Sequence, residues 1–447
     1  MTARIIVVGG GIAGLAASIY LARQGRAVTL FERRHDLGGR AVTHIRQGFR
    51  FNLGPHAVAR GGAGWSVYQE LGIPARGGHP AISGLALLEG SRYRLPVGLF
   101  SLLTSSLLDG KGKLEAAGFL LRLRRMKPSL YASMTVRQWL DANIRNERLR
   151  QVIESYIRLA TYSAAAGEQS AAYALARLQL VSRGTVYVNE GWQKIVDALH
   201  SHAVAAGVRF VTSSHVVRVV HDEAVSGVEI GELEISNRRD TRSVALPESA
   251  DMGESGARIP ANTVLLAVSP RAARAMTSGL DWPEMKPVKA ACLDVALSKL
   301  PEPRPTFAIG IDRPLYYSVH SRWAQLTPQG GALIHLAKYQ NDGAAAADDE
   351  IESSCRHDVL GGEEPELEAL LDDLQPGWRE VVVHRRFLPS MTVSNALVTL
   401  HAKRPDVRTP VRGLYIAGDW VGDDGLLSDA ALASARAAAR AILADTP

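Results

Sequence analysis

Apolar and polar positions along the chain fall into two periods. "RIIVV" (4–8) is a short β-branched run, Ile12 to Arg23 carries apolar residues at helical spacing, and "AVTLFE" (27–32) is strand-like again. The opening therefore predicts a βαβ unit. From Gly72 to about Gly191 the spacing lengthens into helical segments, "GKLEAAGFLLRLRRM", "TVRQWLDANIRNERLRQVIESYIRLATY" and "AAYALARLQLV", which predict an inserted helical lobe. "GWQKIVDALHSHAVAAGVRFVTSSHVVRVVHD" then reads as a helix and two strands, and "NTVLLAVSP" as a buried strand stopped by Pro270. These elements are assigned to the first sheet. Residues 231–261, rich in charge, Gly and Ser, predict a solvent loop or ragged hairpin. Between Val288 and Tyr339, "PVKAACLDVALSKL", "PLYYSVHS" and "GALIHLAKY" predict an antiparallel sheet. The acidic stretch from Asn341 to Leu374 has helical spacing and, by its charge, predicts an exposed flank. "RGLYIAGDW" and the small-residue helix "SDAALASARAAARAILA" return the chain to its first domain.

The fold class is thus α/β: a discontinuous Rossmann-type domain from 1–71, 190–275 and 385–447, and an α+β substrate domain of helices and an antiparallel sheet from 72–189 and 276–384. The 447 residues, 46% of them hydrophobic, suffice for cores in both. A formal net charge of +6 raises the question of an anionic partner, but the arginines are dispersed and lack interleaved aromatics, so nucleic acid is not expected. Two cysteines, Cys292 and Cys355, show no paired spacing, which argues against a disulfide framework and a zinc site and for a reducing compartment. A strand pattern begins within four residues of Met1, so the cytoplasm is the expected location. No stretch reaches the roughly 20 apolar residues of a membrane span. "PVGLFSLLTSSLL" and "GFLLRLRRMK" set aliphatic side chains beside arginines, a pattern suited to peripheral contact with anionic lipid, or to core helices whose arginines face water.

Gly9, Gly11 and Gly14 fit G-x-G-x-x-G between strand and helix. The first permits the tight turn, the second close approach of a pyrophosphate, the third packing of helix on strand. Free amides at Ile12 to Gly14 face the phosphates, and Glu32 stands near the offset at which an acid takes ribose hydroxyls. A carboxylate there disfavours a 2′-phosphate. These residues leave FAD and NAD open.

"RRHDLGGRAVTH" after Glu32 and "GLYIAGDWVGDDGLLSDAALASARAAARAI" near the end, together with the opening, resemble the flavoprotein amine oxidase and phytoene desaturase superfamily, which includes protoporphyrinogen oxidase and binds FAD in extended form. The resemblance implies that Arg33, Gly38, Gly39 and Arg40 lie along the cofactor, that Gly418 and Asp419 meet its ribityl or pyrophosphate region, and that Val216 contacts adenine. It also implies that Leu426 and Leu427, at the N-terminus of the last helix, face the flavin, and that Gly54, Pro55 and His56 pass beside its ring. His56 is open between a proton-handling group, a flavin contact and a buried hydrogen-bonded histidine. No cysteine adjoins the terminal motif, so the FAD is expected to be non-covalent.

Hydride transfer to flavin N5 requires no acid–base dyad, and none of the thirteen histidines stands in a triad or metal-ligand pattern. "DDGLLSDAA" lacks the aromatic residue that amine oxidases of the superfamily carry there, which favours desaturation, dehydrogenation or redox-neutral isomerisation of a small apolar or amphipathic substrate. An amine or amino-acid oxidase, and a non-catalytic binding protein on the same scaffold, comparable to the GDP dissociation inhibitors, are the alternatives. His335 and Tyr339 share a strand face at period two and, with Tyr317, are the expected lining of the substrate cavity.

Overall fold

The structure is a computed structural model that describes residues 4–80, 83–231, 251–253, 256–341 and 362–446. Five parallel strands, in the order Arg209–Val211, Ala27–Phe31, Arg4–Val8, Thr263–Leu266 and Leu414–Ile416, draw both chain ends and the middle into one sheet. Each is a short apolar run, as expected of strands covered on both faces. The helix Ile12–Ala22 packs between the helices Gln193–Ala205 and Ser428–Asp445. The small residues of Ser428–Asp445 permit that close approach: Ala430, Ala435, Ala438 and Ala439 are buried with Leu432 and Ile442. Because the strands are parallel, the loops after Val8, Phe31, Leu266 and Ile416 emerge along one edge, where ligands of open α/β sheets sit.

A second sheet of seven strands runs Val382–Ser394, Val288–Leu297, Ala332–Tyr339, Leu315–Val319, Phe307–Gly310, Leu85–Leu88 and Ser91–Arg94. Its neighbours are antiparallel except Phe307–Gly310 beside Leu85–Leu88. Leu85–Arg94, expected to belong to a helical stretch, is a hairpin. Glu89 and Gly90 take φ of 50° and 75°, the left-handed pair that suits a two-residue turn to the twist of its strands. The strand Val382–Ser394 crosses the boundary expected at 384/385, so the antiparallel sheet extends to Ser394.

Two further expectations change. Val216–His221 does not join the parallel sheet but pairs with Val225–Ile230, which pairs in turn with Gly256–Pro260; within 231–261, Asp251–Gly253 and Gly256–Pro260 form an antiparallel hairpin, the alternative to a loop that the composition allowed. Residues 232–250 and 254–255 lie outside the described residues. The acidic helix Glu363–Leu374 buries Leu367, Leu370, Leu371 and Leu374 against the outer face of the seven-stranded sheet, so its charge marks only its outer side. Residues 342–361, with Cys355, are outside the described residues. The insert packs its helices Gly110–Leu123, Val136–Asn143, Glu147–Thr161 and Ala171–Val181 around Trp139, Leu140 and Leu175.

Candidate active site

Gly9 leaves its strand with φ of 106°, a region that favours glycine. A Cβ on Gly14 would stand 2.0 Å from the Gly9 carbonyl oxygen, so helix and turn touch backbone to backbone. A Cβ on Gly11 would meet nothing within 4 Å, and one on Gly39 would find only the Gly11 Cα, at 3.7 Å. Two bare backbone loops therefore touch, with open space beside Gly11. The Gly38 amide donates to the Gly10 carbonyl at 2.9 Å and fixes their spacing. Gly11 caps Ile12–Ala22 without a side-chain acceptor, leaving the first-turn amides, Ile12 and Ala13 among them, to a ligand.

Glu32 has a second task beside the one expected. Its Oε2 accepts from the Gly10 amide at 2.6 Å and its Oε1 from the Arg34 amide at 3.0 Å, so the acid orders the turn it faces. Arg33 beside it is exposed. The Ser214 amide donates to the Glu32 carbonyl at 2.9 Å, which brings buried Val216 to the same end of the sheet.

The two chain ends meet at Arg40. Its Nη1 donates to Asp419 Oδ2 at 2.9 Å and to the Val393 carbonyl at 3.0 Å. Asn395 donates to the same carboxylate from its backbone amide, 3.0 Å, and its Nδ2, 2.8 Å. Burial raises the Asp419 pKa, but the Arg40 charge and these hydrogen bonds outweigh it and hold the group below the usual carboxylate range. Asp419, expected to meet the ribityl or pyrophosphate region of the cofactor, also holds Arg40 and Asn395 through its carboxylate. Arg404, which no motif marks, clamps the same loop by donating to the carbonyls of Asp419, 3.3 Å, and Gly425, 2.9 Å. Gly418 is tied to the last helix by its amide, which donates to Ser434 Oγ at 2.9 Å.

Leu426 and Leu427 precede that helix, and Leu427 adopts φ 57° and ψ −133°, a conformation costly for a residue with a Cβ. Asp429, in its first turn, is buried. It accepts from the Gly64 amide at 3.0 Å and pairs with buried Arg177 of the helical insert. Their separation of 252 residues leaves no local signature.

Gly54 lies against Cys292 and Met391 of the antiparallel sheet, 2.9–3.1 Å from where its Cβ would stand. Tyr162 donates to the Pro55 carbonyl at 3.2 Å. His56 donates from Nδ1 to the Gly54 carbonyl at 3.1 Å and meets Trp192 edge to face. Burial lowers its pKa to about 4, so the ring is neutral at neutral pH. Opposite this turn, His335 and Tyr339 occupy one face of their strand, as period two predicts, in contact with His320 and Tyr162 respectively. Tyr317 is a correction. Its side chain lies on the other face, in the core beneath Glu363–Leu374, its hydroxyl donating to the Pro305 carbonyl at 3.2 Å and accepting from Gln375 Nε2 at 2.9 Å. All of Leu315–Val319 is buried, so alternation cannot tell its faces apart.

The family model described as "Flavin containing amine oxidoreductase" matches residues 12–443. The chain belongs to that family. It is a flavin-dependent oxidoreductase of mixed α/β fold with a Rossmann-type FAD domain. Among solved structures, this flavoenzyme is similar to an oxidoreductase from Methanosarcina mazei, with TM-score 0.69 and 17% identity over 97% of this chain and 99% of that one. It is also similar to putrescine oxidase bound to putrescine, with TM-score 0.68 and 17% identity over 99% of each. Cyclohexylamine oxidase from Brevibacterium oxydans follows, with TM-score 0.64 and 15% identity over 100% and 99%. At such identities the likeness is one of fold. A curated relative, the 4,4'-diaponeurosporene oxygenase of Staphylococcus aureus (strain USA300), is 46% identical over 55 residues, and the match spans only 12% of this chain and 11% of that protein.

The residues present fit a flavin dinucleotide. A side chain at Gly11 would enter the open space beside the two loops, amides and an arginine border it, and aromatic and imidazole rings stand beside the Gly54–His56 turn.

Proposed function

We propose that the protein holds FAD non-covalently and dehydrogenates a largely apolar substrate. The observation that carries this reading is the sheet face opposite Gly54–His56. It is built from Cys292, Ala337, Tyr339 and Met391, and its buried acid, Asp294, is already taken by His335 and Arg386. Among the described residues no carboxylate on that face is left for a cationic amine, whose burial without a partner is costly. Burial pushes the Cys292 thiol up, so it stays protonated and is a poor tether.

In this reading the Gly9–Gly14 turn, Gly38–Gly39 and Arg40 hold the pyrophosphate, Glu32 and Val216 the adenosine end, and Gly418 with Leu426–Leu427 the flavin end. A bound flavin supplies a two-electron acceptor for a substrate hydride. The chain orients the reacting carbon and excludes water; Trp192, Tyr162 and Tyr339 wall the site, and His56 contributes an uncharged ring. The test is anaerobic titration of the purified holoenzyme with polyenes, porphyrinogens and amines while the flavin colour is followed. Bleaching by an apolar class supports the proposal; bleaching by amines alone overturns it.

Substrate access from an anionic lipid surface belongs to the same proposal. Six of the ten large exposed hydrophobic side chains among the described residues, Leu99, Phe100, Leu103, Leu114, Leu121 and Leu130, fall within one stretch and are 69–78% exposed. The stretch Arg92–Tyr131 carries eight Lys and Arg against two acids. Both acids are engaged: Asp109 caps the Gly112 amide at 2.8 Å, and Glu115 accepts from the amides of Arg145 and Asn146 at 2.7 and 2.9 Å. Arg92 is paired with Asp373, and the remaining cations outnumber the acids of the stretch; apolar side chains amid that excess of positive charge suit the interface of an anionic bilayer. Among the described residues no helix is long and apolar enough to cross a membrane.

A further inference from the structure

The helical insert carries a cavity for which the flavin reading has no use. It holds about 330 Å³ and lies between Gly110–Leu123, the turn Pro128–Tyr131 and Val136–Asn143. Its wall is Phe119, Leu121, Met126, Tyr131, Trp139 and Ile144. Phe119, Trp139 and Ile144 are buried and make the floor, Met126 and Tyr131 are half-buried, and Leu121 is exposed at the mouth. Aromatic rings give the floor its shape: Trp139 has the Phe119 ring 6.1 Å away and the Tyr131 ring, edge to face, at 6.0 Å. A volume of this size falls at the lower end of the roughly 300–1,000 Å³ of small-molecule pockets.

The rim is cationic. Arg122 and Arg125 line the same cavity and are exposed, no acid is among its lining residues, and neither guanidinium has a carboxylate partner among the described residues. The amides of Arg125 and Met126 both donate to the Arg122 carbonyl at 2.9 Å, so the helical turn runs on past Leu123 and sets the two arginines, three residues apart, on one side. The backbone oxygens that would repel an anion at this helix end are taken. Those amides occupy the carbonyl of Arg122, and Gln179 Nε2 donates to those of Leu123 and Met126 at 2.6 and 2.8 Å. The neighbouring acids are engaged elsewhere: Glu115 accepts from the amides of Arg145 and Asn146, and Asp141 pairs with Arg150.

We infer that this cavity binds one fatty-acid anion, its alkyl chain on the aromatic floor and its carboxylate at the rim on Arg122 and Arg125. Apolar depth beneath a cationic edge is the complement of an amphiphile with a negative head, and the arginine fork suits a carboxylate. A volume at the lower end of the ligand range favours one chain over two. A cationic head would meet two like charges at the rim. The site takes no part in the redox chemistry proposed above, and it requires neither the flavin nor a bilayer.

The test is titration calorimetry of the purified protein with decanoate, decanol and decyltrimethylammonium, each below its micelle-forming concentration and without vesicles. Decanoate binds about tenfold tighter than decanol, the worth of two exposed charge contacts, and decyltrimethylammonium binds more weakly than either. Octanoate binds more weakly than decanoate, by at most about fourfold per methylene lost. Arg122→Gln combined with Arg125→Gln, both at exposed positions, brings decanoate down to the affinity of decanol without changing flavin content or melting temperature. Met126→Trp, which fills the cavity, removes the binding of both. Equal binding of decanoate and decanol to the wild type, or decanoate binding unchanged in the double arginine variant, overturns the inference. Either result leaves the flavin and bilayer readings intact, because those stand or fall on flavin bleaching and vesicle co-sedimentation, measured without decanoate.

Discussion

Arg40 and Asp419, 379 residues apart in sequence, meet at 2.9 Å and join the diglycine loop to the terminal motif. Asp419 is buried, while Arg40 is 40% exposed. Asp419→Ala removes the carboxylate that Arg40 and Asn395 share, and the loss of stability falls at the low end of the roughly 3–5 kcal/mol typical of breaking a buried pair. Flavin content of the purified variant, read as the ratio of flavin to protein absorbance, drops with it. The pH dependence has a defined sign. A carboxylate whose folded-state pKa is depressed stabilises fully above its unfolded value, roughly 3.9, and that contribution is lost as pH falls through the folded value. Acid unfolding of the wild type is therefore steeper below about pH 4 than that of Asp419→Asn.

Two glycines of the same turn separate folding from binding. Gly14→Ala drives a methyl to 2.0 Å from the Gly9 carbonyl, so the helix must shift and thermal stability falls. Gly11, with φ of −71° and open space before it, accepts alanine without strain. Gly11→Ala melts like the wild-type apoprotein but retains less flavin. Parallel melting curves and flavin affinities for the two variants check this.

Arg177 and Asp429 are 6% and 3% exposed and bind the helical insert to the first turn of the last helix. Arg177→Met strands a buried carboxylate and costs about 3–5 kcal/mol in denaturant unfolding. The double variant Arg177→Met with Asp429→Asn removes the stranded charge and recovers part of the loss. Equal losses in both would mean that the charge is not what destabilises the single variant.

The exposed Leu99, Phe100 and Leu103 give the surface proposal a direct check. The wild type co-sediments with vesicles containing phosphatidylserine, less so as salt is raised, because screening weakens the Lys and Arg contribution. Replacing all three side chains by Ser reduces co-sedimentation at every salt concentration without changing the melting temperature. Binding that is unchanged in the triple variant would place the contact elsewhere.

The glycine turn was legible because strand, turn, helix and acid are contiguous in sequence and each constrains the next. His335 and Tyr339 were legible as one face for the same local reason. What escaped is long-range. Arg177 looks like any charge on an amphipathic helix, and only folding delivers it to Asp429. Asp294 looks like a stray acid in an apolar strand until Ala332–Tyr339 pairs beside it and sets His335 directly opposite. Tyr317 was misplaced because a strand buried on both faces has no polar side to orient it. Leu85–Arg94 was read as part of a helical region because its two strands are only four residues each, too short for alternation to outweigh their surroundings.

Both ends of the chain are proposed to close around one flavin dinucleotide without a covalent bond. Denaturing the purified protein with acid and separating the precipitate from the supernatant tests it most directly. The flavin is expected to leave with the supernatant as FAD, in about one equivalent per chain. A colourless protein, or a flavin that stays with the precipitated chain, would contradict it.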